Sequence, residues 1–102
     1  MVTSILSHMT RDEHRQIARD TLNELLGLLN EIGGGGAAEL AAEGEKLRRS
    51  IDAFHIEGIR FRMFAFDRRL HRLPGGPPER AATLFAELRA ALEAAGFHTR
   101  SH

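Results

Sequence analysis

The 102-residue chain contains no cysteine, no tryptophan and no tyrosine. Without cysteine there is no disulfide framework, no thiolate metal site and no thiol nucleophile, which removes several enzyme classes at once and suits a reducing compartment. Net charge is lacking too. Fourteen basic side chains balance fourteen acidic ones, so bulk charge does not draw the chain to nucleic acid or to an anionic membrane. Nowhere do eighteen apolar residues follow one another, and the opening MVTSILSHMT has no basic stretch leading into a sustained apolar run. These absences give the expectation of a soluble, cytoplasmic protein with no membrane partner. Only three prolines occur, all between residues 74 and 78, and neither a strand-like alternation nor an internal repeat is visible.

What is present is helical periodicity. At this length residues 1–102 make a single domain with one modest core. After an N-terminal arm (1–9), Thr10 followed by Glu13 forms a capping-box pattern. Ala18, Leu22, Leu25, Leu29 and Ile32 then recur at spacings of four and three, widened by Ile17, Leu26 and Leu28. Residues 33–36 are four glycines, a linker rather than a phosphate cradle, because no strand and no Lys-Ser/Thr pair accompanies them. From Ala37 to Leu73 no proline intervenes, which predicts one long helix over about 37–73, roughly 50 Å at ~1.5 Å per residue. The Pro/Gly turn 74–77 ends it. A last helix begins near Pro78, buries Ala81, Leu84, Phe85, Leu88, Leu92 and Ala95, and closes at Gly96 with Phe97 folded back on Leu92. Residues 98–102 read as a frayed tail.

The long predicted helix is apolar on two sides. Leu47, Ile51, Phe54, Gly58, Phe61 and Ala65 form one stripe; Ile56, Ile59, Met63, Phe66, Leu70 and Leu73 form a second, about 130° away at 100° per residue. The wedge with Arg60, Asp67 and His71 is polar apart from Phe64. Two short helices cover one stripe well and the other in part. Six such side chains represent several hundred Å², on the order of ten kcal/mol gross at ~25 cal/mol per Å². The expected cover is a second copy, its long helix antiparallel about a two-fold axis, with Ile56, Ile59, Met63, Phe66, Leu70 and Leu73 as the interface. The alternative is a monomer with one flanking helix on each stripe.

Charge is segregated along the chain. Residues 1–45 carry three Arg against eight acids, and residues 46–72 carry one Lys and seven Arg against three acids. The acidic first helix is therefore expected to lie beside the basic one. Asp52 with His55 and Asp67 with His71 have spacings suited to metal ligands, but the two histidines point to opposite sides of one helix, so no metal and no cofactor is expected. HIEG, residues 55–58, resembles the site of histidine phosphotransfer domains, where a lysine and then a glycine follow at the third and fourth positions. Here the glycine comes third and Glu57 precedes it. LRRSID, residues 47–52, resembles the opening of the long helix of all-helical chorismate mutases, which implies Arg48 as one clamp on a dicarboxylate and Arg62 or Arg68 as another. That family begins with its longest helix, whereas a helix precedes this one. Arg60, Arg62, Arg68, Arg69 and Arg72 also suit phosphate contacts of a nucleic-acid-binding regulator. The sequence favours an all-α protein of three helices, a dimeric helical bundle acting as a protein–protein interaction or adaptor module with no chemistry of its own.

Overall fold

The computed structural model describes residues 9–100, so most of the N-terminal arm and the last two residues lie outside the described region. Among the described residues four helices follow one another: α1 Arg11–Ile32, α2 Ala37–Asp52, α3 Ile56–His71 and α4 Glu79–Ala94. The all-α class is as expected. The count is four rather than three, because the long central helix is two helices.

Thr10 starts α1 as its sequence implies: its hydroxyl accepts from Glu13 N–H at 3.0 Å while Glu13 Oε1 accepts from Thr10 N–H at 2.9 Å. Two otherwise orphaned donors are satisfied reciprocally. Replacing Thr10 with alanine is expected to cost about 1 kcal/mol, a fall of about 4–8 °C in melting temperature for a domain near this size, readable by circular dichroism. Gly33 closes α1 at φ 63°, its N–H bonded to Leu29 O, and the chain turns into α2. Ile17 and Ile32 stay exposed, while Ala18, Leu22, Leu25, Leu26 and Leu29 are buried.

The break between α2 and α3 contains neither proline nor glycine. Ala53 caps α2, Phe54 adopts φ 55°, and His55 is extended with its N–H bonded to Ser50 O at 3.0 Å. A left-handed phenylalanine costs on the order of 1–2 kcal/mol. Its ring is held between the Arg15 guanidinium, 4.2 Å from the centroid, and the ring of Phe97 at 6.4 Å. Gly58 serves the same corner: a Cβ there would stand 2.3 Å from His55 Nδ1 and 2.9 Å from Ser50 Oγ. Each resulting helix has 16 residues, about 24 Å of axis at ~1.5 Å per residue.

The helices run alternately up and down. Arg80 reaches Glu24 at 2.5 Å and Gly96 abuts Arg11, which sets α4 antiparallel to α1. Arg19 meets Asp52 at 2.7 Å, and Leu26 leans so closely on Gly44 that a Cβ would lie 2.2 Å from it, joining α1 to α2. The rings of Phe66 and Phe85 stack at 5.5 Å between α3 and α4. The core is built from Leu22, Leu25 and Leu29 of α1, Leu40, Leu47 and Ile51 of α2, Ile59, Met63, Phe66 and Leu70 of α3, and Leu84 and Leu88 of α4.

At the C-terminus Phe97 N–H bonds Leu92 O at 3.0 Å with Gly96 at φ 94°, the closing motif read from the sequence. Of the expected frayed tail 98–102, residues 101–102 lie outside the described residues, and Thr99 is held in place. Thr99 is buried, accepts from Arg89 Nη1 at 3.0 Å and donates to Glu93 at 2.8 Å, while its carbonyl accepts a second bond from Arg89.

Candidate interaction surface

The second apolar stripe is not a free surface. Ile59, Met63 and Phe66 are fully buried and Leu70 nearly so within one chain, Leu73 is half-buried against the core, and Ile56 alone is exposed. The expectation that these six form the interface is corrected: four of them are the monomer's own core. Shortening the long helix into a hairpin lets α2 turn back over α3, which removes the need for a second chain on that side.

The same turn exposes the continuation of the first stripe. Phe61 is 59% and Phe64 42% exposed, and the two lie three residues apart on the outer side of α3. A shallow groove of about 300 Å³ is lined by Phe61, Phe64, Ala65, Arg68, Arg69 and Arg72. Arg68 lies 5.6 Å over the Phe64 ring and Arg62 5.1 Å over Phe61. Among the described residues neither Arg68 nor Arg72 has a carboxylate within 4.0 Å, and Glu57, one turn before Phe61, has no cation within that distance.

Arg62 and Arg69 are occupied. Glu43 is buried between α2 and α3, with Lys46 Nζ at 3.5 Å, Arg62 Nη1 at 3.6 Å and Arg69 Nε at 4.0 Å, and Arg69 also approaches Glu39 at 3.5 Å. Lys46, Arg48, Arg62 and Arg69 of the basic segment thus meet acids of α2, whereas α1 directs Glu24 to Arg80 and Asp12 to Arg15. This corrects the expected pairing of the first helix with the basic one. A buried carboxylate deprived of its cations is costly, so Arg62 is committed to holding α3 on α2.

Arg48 bonds Glu45 and, at 3.2 Å, Asn23 of α1. Arg48, Arg62 and Arg68 therefore face the α1–α2 seam, the α2–α3 seam and the outer side of α3 in turn. They do not converge on one anion, and the clamp implied by the chorismate mutase resemblance is absent among these three. Asp52 turns to Arg19 instead of His55, while His71 Nδ1 lies 3.1 Å from Asp67 Oδ1 and 2.9 Å from Asp67 O. Among the described residues no three His, Asp or Glu side chains gather as metal ligands, and no helix is long and apolar enough to cross a membrane.

A second concavity runs between α3 and α4. One part, about 410 Å³, lies beside Asp67, Phe85 and Arg89; another, about 440 Å³, lies beside Arg60, Phe97, His98 and Arg100. Its acids and bases largely answer one another: Arg89 is 3.9 Å from Asp67, and Arg100 3.7 Å from Glu93.

Sequence reasoning placed Phe61 in a covered stripe and noted Phe64 as an isolated apolar residue in a polar wedge. The signal that separates them from the core is a phase change. Leu40, Gly44, Leu47 and Ile51 follow one four-and-three register, and Ile59, Met63, Phe66 and Leu70 follow another that is out of step with it.

The described residues define a small all-α fold of four helices with an aromatic and cationic face on α3. Comparison with protein-family models, with curated proteins and with solved structures gives no match.

Proposed function

We propose that this chain is a protein–protein interaction module of the adaptor or regulatory kind, acting as a homodimer through the outer face of α3 and carrying no chemistry of its own. The observation that carries the reading is the adjacent exposure of Phe61 and Phe64 on a helix whose Ile59, Met63, Phe66 and Leu70 are used inside the bundle. Aromatic residues ringed by arginine stems are the composition of interface cores, and neighbouring exposed rings on a small monomer ask for cover.

The magnitude sets the kind of dimer. Four half-exposed rings, two from each chain, represent roughly 400 Å² of apolar surface, about 10 kcal/mol gross at ~25 cal/mol per Å². Association costs about 4–15 kcal/mol in lost freedom. A reversible dimer follows, not an obligate one. Each four-helix unit has its own core and remains folded when the copies part.

Native mass spectrometry of the untagged protein at tens of micromolar, followed by dilution, tests this. The expected result is a dimer mass that gives way to folded monomer on dilution. A monomer at every concentration contradicts the homodimer.

A further inference from the structure

We infer that the two copies pair with their α3 helices antiparallel, about a two-fold axis passing between Phe61 and Phe64, and that Glu57 of each chain forms an ion pair with the partner's Arg68. This rests on the homodimer reading above and specifies its geometry. Glu57, Phe61, Phe64 and Arg68 follow one another at spacings of four, three and four, so all four project within about 60° of each other at 100° per residue. The spacing is the same read in either direction. Turned end over end about its centre, the stripe places Phe61 opposite the partner's Phe64, and Glu57 opposite the partner's Arg68, twice by symmetry.

Charge decides the direction. In a parallel pairing Glu57 faces the partner's Glu57 and Arg68 faces the partner's Arg68, two like-charge contacts at the rim of an apolar centre. In the antiparallel pairing both contacts are attractive. Both side chains are available, since within the chain neither has an opposite charge within 4.0 Å among the described residues. Arg68 already lies over Phe64, which presents its guanidinium at the edge of the aromatic pair. The two groups do not serve each other within one chain: eleven residues of helix separate them by about 16 Å, roughly two Debye lengths at physiological salt.

A charge-exchange cycle tests the pairing. Wild type, Glu57→Arg, Arg68→Glu and the double variant are compared by sedimentation velocity at low salt, with far-ultraviolet circular dichroism confirming equal helicity. Each single reversal turns two attractions into two repulsions and is expected to weaken dimerisation roughly 10- to 30-fold. The double variant restores opposite charges across the axis and is expected to return to within about threefold of wild type, since one such contact is worth only a modest factor. A wild-type dimer indifferent to both single reversals overturns this pairing and leaves the homodimer standing. A double variant as weak as the singles also overturns it, because the two positions then do not meet. A monomeric wild type removes the homodimer and the pairing together.

Discussion

Phe66→Ala is expected to lower the unfolding free energy by about 3–5 kcal/mol, the usual cost of deleting a fully buried aromatic ring. Phe66 is wholly inaccessible to solvent, and its ring lies nearly parallel to that of Phe85, 12° between planes. The stacked pair joins α3 to α4, and one edge of the Phe66 ring approaches Gly44 of α2, where a Cβ would stand 3.3 Å away. Small domains hold about 5–15 kcal/mol in total, so this variant loses roughly a fifth or more of its stability. Urea denaturation followed by circular dichroism measures it. A loss below about 1 kcal/mol would contradict the burial of the ring, and a loss appearing only at dimer-forming concentrations would return Phe66 to an interface.

The companion result concerns the opposite side of the same helix. Phe61→Glu combined with Phe64→Glu is expected to abolish dimerisation, with a dissociation constant raised at least about 100-fold, while the unfolding free energy of the monomer moves by about 0.5 kcal/mol or less. The rings contribute little to the monomer because they are exposed there. In the dimer the variant sets two carboxylates from each chain against one another at the centre of the contact, where water is most excluded. Sedimentation equilibrium gives the first quantity and urea titration the second. Equal dimerisation of variant and wild type would remove this face from the interface, and a monomer destabilised by several kcal/mol would show that the rings are packed.

Much of this fold is legible from residue patterning. The capping box at Thr10, the stripe through Leu22, Leu25 and Leu29, and the Gly96–Phe97 closure all follow from local chemistry, and each forms as read. The break at Ala53–His55 does not announce itself by composition. Helix ends are usually written in glycine or proline, and this one is made instead by a left-handed phenylalanine held in place by Arg15 of α1 and Phe97 of the C-terminal segment. Those partners are distant in sequence, so a local reading continues the helix. The error then propagates: a single helix with two stripes needs an external partner on its strongest one, whereas a hairpin of two helices with one stripe each buries both. Arg62 changes role for the same reason, becoming a partner of Glu43 once α2 and α3 lie side by side.

The assignment of α3's inner side to the core and its outer side to a second chain is tested most directly by the phenylalanine ring signals in nuclear magnetic resonance spectra of the wild-type protein across a dilution series. With six phenylalanines and no other aromatic residue besides histidine, the rings are few enough to assign one by one. The expected result is that the Phe61 and Phe64 resonances move with concentration between monomer and dimer positions, while those of Phe66 and Phe85 stay fixed. Ring signals of Phe66 that move with concentration while those of Phe61 and Phe64 stay still would contradict the assignment, placing the inner stripe at the interface.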